Sequence, residues 1–321
     1  MNFVRKYLPS DLLAVALVTA MVFAAEYLGE KEIIFPEMAA LSVGYLVAVK
    51  RSWMVNGRRM LFLITASAVT GVLIVRYVNM GLYPQIVLAF IISQIVFLYS
   101  GTTFAPFVSA IVLPVMLQTT SWVYPIAAFI LTFILVISHK LLIRCGFRID
   151  EAYKPVILNS KDDHIDLVLR VIIVAILGFA ALKFGMKFMI APPLLVAFTE
   201  VSRPRNRTRN HPVKAVSLVS LCGLTGALVR YLFNIKMGLS LTLCAVIIMT
   251  VSLCIIHIFG MYMPPAAAIA ILSLLIPEEA VIMFPVQVFA GIAIIMACSR
   301  LLFMRRQERK LLEQDHELDA K

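Results

Sequence analysis

Apolar runs of about 20 residues follow one another almost from end to end of this 321-residue chain, and few folds can accommodate that pattern. A bilayer core about 30 Å thick offers no water to a crossing backbone, so each crossing segment must satisfy its own N–H and C=O groups, as a helix does. With 61% hydrophobic residues, 15% charged residues and a mean hydropathy of +0.94, no soluble domain fits between the runs. The expected fold is an all-α, polytopic transmembrane bundle. The first run, Leu12 to Tyr27, lacks a small-residue cleavage site and reads as a retained helix rather than a removed signal peptide.

The same membrane segment is written twice, roughly 155–160 residues apart. Asp11-Leu12 corresponds to Asp166-Leu167, and Gly29 to Gly185. Thr70-Gly71, Arg76-Tyr77, Asn79 and Met80-Gly81-Leu82 are answered in order by Thr225-Gly226, Arg230-Tyr231, Asn234 and Met237-Gly238-Leu239. Gly101 and Pro106 match Gly260 and Pro265, Tyr124-Pro125 matches Phe284-Pro285, and Lys140-Leu141-Leu142 matches Arg300-Leu301-Leu302. Duplicated membrane halves are a hallmark of secondary transporters.

Each copy divides into six apolar segments, at about 11–29, 34–49, 59–78, 82–100, 104–120 and 122–143, then 166–184, 189–201, 213–234, 238–258, 263–277 and 280–303. The expected organisation is a first membrane repeat (1–144), a polar linker (145–165), a second repeat (166–303) and a charged tail (304–321). Basic residues fall in alternate connections: Arg5-Lys6, Lys50 to Arg59, the linker, Arg203 to Lys214 and Arg305 to Lys310. By the positive-inside rule that side is cytoplasmic, with both termini on it. Lys31, Lys183 and Lys187 on the opposite side are exceptions. Six segments per copy make the two repeats parallel, related by an axis along the membrane normal. The net charge of +11 is thus a topology signal rather than a nucleic-acid footprint. Five cysteines, Cys145, Cys222, Cys244, Cys254 and Cys298, lack metal or C-x-x-C spacing and read as packing residues.

The second and fifth segments of each copy are short and begin at proline, at Phe35-Pro36, Phe104-Ala105-Pro106, Ala191-Pro192-Pro193 and Met263-Pro264-Pro265. Three segments separate the members of each pair, so each copy could hold a nested three-plus-three inverted repeat, and Ser52-Trp53 and Ser121-Trp122 fall at matching distances. Proline suits a first helical position. Pro36 to Lys50 would rise about 22 Å as a helix, short of a crossing. Free amides at such starts, with the positive end of the helix dipole, suit an anion. The expected substrate cradle is therefore Pro36, Glu37, Met38, Phe104, Pro106, Pro192, Pro193, Met263, Pro264, Pro265 and Ala266, against the plainer reading of interfacial helix starts. Arg76 and Arg230, matched near the outer ends of the third and ninth segments, either attract an anion or snorkel to headgroups.

Glu37, Glu200, His139 and His257 lie in or beside apolar segments, where ionisable groups are costly. A capping role for Glu37 competes with proton carriage, and His139 reads as interfacial. The basic cluster Arg203, Arg205, Arg207, Arg209, His211 and Lys214 reads as a cytoplasmic anchor, with an anionic-headgroup site as the alternative.

Residues 188–303 resemble the HPP family of integral membrane proteins. The resemblance rests on Ala191-Pro192-Pro193, Arg203-Pro204-Arg205-Asn206 before His211, Thr225-Gly226-Ala227-Leu228-Val229-Arg230, and Met263-Pro264-Pro265-Ala266-Ala267-Ala268. Met263 stands where the family's His-Pro-Pro has histidine, and alanines replace the following glycines, so a histidine-dependent role is not carried over. The first half would be a divergent copy keeping Phe35-Pro36, Arg76 and Pro106. Some members of the family are associated with nitrite transport, which implies a small-anion permease.

The expected function is alternating-access transport of a nitrite-like anion or small carboxylate across a bacterial-type cytoplasmic membrane. Alternatives are an aromatic-acid or lipid-like exporter, or a non-transporting scaffold or partner subunit. A major facilitator fits less well, because the Lys50 to Arg59 loop lacks the expected acid. No carboxylate pair, metal cluster or activated nucleophile suggests an enzyme, and no cofactor is expected. The expected partners are a small anionic solute and membrane lipids, without nucleic acid; self-association is left open.

Overall fold

The computed structural model describes residues 2–149, 151–157, 160–203 and 206–304. Within them lie twelve α-helices and no strand. The expected tail lies outside the described residues, as do Pro204 and Arg205 of the basic motif.

Eight helices are long and apolar enough to cross a membrane. They are α1 (Asn2–Leu28), α3 (Gly57–Tyr77), α4 (Leu82–Tyr99), α6 (Val123–Arg144), α7 (Lys161–Lys183), α9 (Pro212–Val229, with a π-helical continuation that carries the span to Lys236), α10 (Leu241–Phe259) and α12 (Phe284–Cys298, likewise carried on to Phe303). Between 28% and 44% of each crossing window is buried within the protein, and the outward remainder carries large apolar side chains such as Phe23, Phe179 and Ile258. A helix that is apolar all round belongs in lipid. The chain is therefore a multi-pass membrane protein.

Four helices are short: α2 (Glu37–Leu41, continued as a π-helix over Ser42–Val47), α5 (Pro106–Leu117), α8 (Pro192–Val201) and α11 (Pro264–Leu272). At 1.5 Å per residue the twelve residues of α5 span about 18 Å, well under the bilayer core. Proline opens each one, at the N-cap of α2 and in the first turn of α5, α8 and α11. Missing amides at these places leave no helical bond unmade. A 3-10 turn leads into α2 (Lys31–Ile33) and another into α8 (Lys187–Ile190).

Packing explains why such short rods persist. In the order α2, α5, α8, α11 they form a closed ring, each touching the next. All described residues of α2 and α11 are buried, as are those of α5 from Pro106 to Met116. The long helices enclose the ring: α1 lies on α10, α4 on α7, α3 on α5 and α6, and α9 on α11 and α12. Close approach needs small residues. A Cβ on Gly71 of α3 would collide with the Ile111 carbonyl of α5, and one on Gly226 of α9 with the Ala270 carbonyl of α11.

Side-chain bonds fix the α1–α10 pair as antiparallel. Asp11 meets His257 at 3.0 Å near one end, and Glu26 accepts from the Leu241 and Thr242 amides, at 3.0 and 3.1 Å, at the other. The described parts of the loops at 48–56, 151–157 and 206–211, with Arg148 and Arg203, share one face, tied by Arg51 to Glu151, Arg148 to the Ala48 carbonyl and Arg203 to the carbonyl of Thr103, whose hydroxyl accepts from the Met54 amide, and this is the linker face. One boundary differs from expectation. Helix α7 starts at Lys161, ahead of 166, because Ser160 and Asp163 form a capping box inside the expected linker.

Candidate functional site

On the face opposite the linker, a vestibule of about 380 Å³ opens between the two halves of the chain. Ile34, Leu113, Pro114, Met116 and Tyr124 form its apolar wall, while Leu275 and Pro277 close it from the other half. Lys31 and Lys187 stand at its rim with Glu32, Gln118 and Thr119. Each lysine opens the 3-10 turn that precedes a short ring helix. Gln118, which ends α5, is held at φ 56, a left-handed backbone uncommon outside glycine, asparagine and aspartate. Its side-chain amide donates to Gln85 Oε1 at 2.8 Å, and Gln85 in turn donates to the Val78 carbonyl at 2.8 Å.

Below the vestibule lie the four ring helices, whose proline-led starts were named from the sequence. Pro36, Glu37 and Met38 are buried at the head of α2, and Ser109 of α5 donates a hydrogen bond to Glu37 Oε1. Phe104, ahead of Pro106, packs edge-on against Trp53 with ring centroids 5.3 Å apart. Pro192 and Pro193 are buried at the head of α8. Met263, Pro264, Pro265 and Ala266 are buried at the head of α11, where Pro264 abuts Gly44 in the π-helical continuation of α2. The four starts do not meet at one level. Those of α2 and α8 follow the vestibule-side turns, whereas those of α5 and α11 follow linker-face ends of α4 and α10.

Arg76 and Arg230 each engage backbone carbonyls beyond the end of a ring helix. Arg230, 5% exposed, donates through one terminal nitrogen to the carbonyls of Ser273 and of Ile276, the latter at 2.6 Å, just past the end of α11. Arg76 donates from Nε to the Thr120 carbonyl at 2.7 Å, just past the end of α5, and lies over the Trp122 ring. Cations at the ends of helices offset the negative end of the dipole. Both arginines therefore hold ring helices at their vestibule ends.

Polar contacts on the linker face join the two halves. Trp53 donates to Glu200 Oε1 at 2.6 Å and Gln94 to Thr199 at 3.1 Å. Arg170 and Arg203 flank the Phe97 ring at 5.9 and 5.8 Å. Burial holds the Arg203 guanidinium below its ordinary pKa, a shift that Glu200 opposes. Arg209, 2% exposed, donates to the Val201 carbonyl at 2.9 Å and to the Arg203 carbonyl. Arg209 thus folds the loop on itself, while Arg203 donates across to the Thr103 carbonyl at 3.4 Å. His139 is buried, with its ring 4.1 Å from that of Tyr45, and lines a cleft of about 520 Å³ with Arg51, Arg148 and Glu151.

Sequence reasoning passed over Lys31, Lys187, Ser109 and Tyr124. The two lysines had a signal: both break the charge rule, and each stands five residues before a ring-helix proline. Ser109 and Tyr124 carry no local signal, since only the tertiary packing sets them beside Glu37. The five cysteines are free thiols, and no cluster of metal-ligating groups occurs among the described residues. No known protein family, curated protein or solved structure gives a significant match to the chain.

Proposed function

We propose that this protein is a carrier of a bacterial-type cytoplasmic membrane that moves a small monovalent anion by alternating access between two six-segment halves. The observation that carries the proposal is the vestibule lined from both halves, with Lys31 and Lys187 at corresponding places on its rim. Cations focused in a low-dielectric mouth raise the local concentration of an anion. Beneath them, a ring of short helices, two from each half, provides an element that can rock without breaking any long crossing helix. The resemblance to the HPP family points to the same class of solute.

In this reading the linker face is cytoplasmic, since it carries the excess of basic connections. The four short helices complete twelve passages through the protein. The anion moves from Lys31 and Lys187 past the starts at Pro36, Met38, Pro192 and Pro193, and leaves past those at Phe104, Pro106, Met263, Pro264, Pro265 and Ala266. Arg76 and Arg230 act by steadying the ring rather than by touching the solute.

Uptake of nitrite, nitrate, formate and small carboxylates into proteoliposomes tests the reading. The wild type is expected to move at least one of them. The K31Q/K187Q pair is expected to slow uptake most at low ionic strength, where charges are least screened. Absence of anion flux, or equal flux in the double variant at every salt concentration, refutes the proposal.

A further inference from the structure

Glu37 is 1% exposed, Ser109 donates a hydrogen bond to its Oε1, and among the described residues its buried Oε2 has no hydrogen-bond partner. Helix α2 packs against α1, α5, α6 and α11. From α5 it meets the neutral Ser109, and α11 contributes no titratable residue. The acids of α1 are engaged elsewhere, Asp11 with His257 and Glu26 with the start of α10. From α6 comes Tyr124, whose ring meets that of Phe35, two residues before Glu37, with centroids 5.9 Å apart. The Tyr124 hydroxyl donates to the Ala110 carbonyl at 3.1 Å, next to Ser109, and the same residue lines the vestibule. His139, also on α6, lies instead in the linker-face cleft.

An uncompensated carboxylate in such surroundings is strongly disfavoured, so the closed ring holds the neutral acid. Resting on the proposed transport function, we infer that Glu37 is the proton-carrying group, making this protein a proton–anion symporter with Tyr124 between the acid and the vestibule. When the ring opens to the vestibule, the carboxylate takes a proton from the aqueous phase and forms its O–H bond as the anion enters. When it opens to the linker face, that bond breaks, water receives the proton and the anion leaves; the emptied ring then recloses with the ionised carboxylate held by the Ser109 hydroxyl, the slow leg of the cycle because that charge is otherwise uncompensated. One proton travels with one monovalent anion, so the cycle is electroneutral.

Two measurements on the full-length protein test this. In proteoliposomes with an entrapped pH dye, wild-type anion uptake should acidify the lumen and accelerate as the outside is acidified. E37Q should lose the anion-dependent proton flux, E37D should regain it with a displaced pH profile, and Y124F should slow it. Separately, pH-difference infrared spectroscopy should reveal a protonated-carboxyl band that is absent in E37Q. That band reports on Glu37 whether or not the variant transports. Anion-coupled proton flux persisting in a folded E37Q, or a wild type without the band, overturns the inference while leaving anion transport standing. A wild type that moves no anion removes the transport reading and the coupling with it.

Discussion

Replacing Arg230 with methionine should destabilise the protein by about 3–5 kcal/mol, roughly two to three times the cost of the same change at Arg76. Methionine keeps much of the apolar stem, so the loss falls on the guanidinium. In the native state that group serves the Ser273 and Ile276 carbonyls in a setting where Arg230 is only 5% exposed. A hydrogen bond to a charged group contributes about 1.5–3 kcal/mol, and each buried carbonyl left unpaired costs about 1–3 kcal/mol. Two such carbonyls give the range, after some relaxation of the loop. Arg76 is exposed and serves one carbonyl, that of Thr120, which water can take over. Its bond and its position over Trp122 together amount to about 1–2 kcal/mol. Unfolding by a denaturing detergent in mixed micelles, followed by fluorescence of Trp53 and Trp122, would give both values, with R230K expected to recover part of the loss. Equal destabilisation of the two methionine variants would refute the assignment of Arg230 as a buried clamp on α11.

Three further outcomes follow from particular contacts. Gly71→Ala and Gly226→Ala force a Cβ into the carbonyls of Ile111 and Ala270 and should each cost about 1–3 kcal/mol, whereas Gly81→Ala, with open space around it and φ −63, should stay within about 0.5 kcal/mol in the same unfolding assay. Glu26→Ala removes the acceptor for the Leu241 and Thr242 amides and should cost about 0.5–2 kcal/mol, readable as earlier hydrogen exchange at the start of α10. Trp53→Phe preserves a ring against Phe104 but deprives Glu200 of its 2.6 Å donor, and a loss of about 1–3 kcal/mol in thermal unfolding is expected.

Much of the architecture is legible in particular residues. Pro36, Pro106, Pro192 and Pro264 mark helix starts because a fixed φ and a missing N–H suit only the opening turn. Apolar length marks the eight crossings because lipid leaves the backbone no partner but itself. The matched Thr-Gly pairs at 70–71 and 225–226 turn out to sit where a long helix crosses a ring helix. The start of α7 was misplaced because a polar capping box, Ser160 with Asp163, opens it beyond the reach of a hydropathy reading.

The sequence by itself determined which stretches become helices, which of them are too short to cross, and how charge divides between the two faces. Those outcomes depend on local hydrogen bonding and on transfer between water and hydrocarbon, which each segment settles alone. Only the tertiary structure decided that α2 would lie beside α11 and α5 beside α8, that Arg230 would face backbone carbonyls, and that Tyr124 would line a lysine-rimmed vestibule. In lipid every helix is equally apolar outside, so neighbours are chosen by the fit of small residues and by buried polar groups seeking partners, and both are properties of pairs of surfaces rather than of any one stretch of chain.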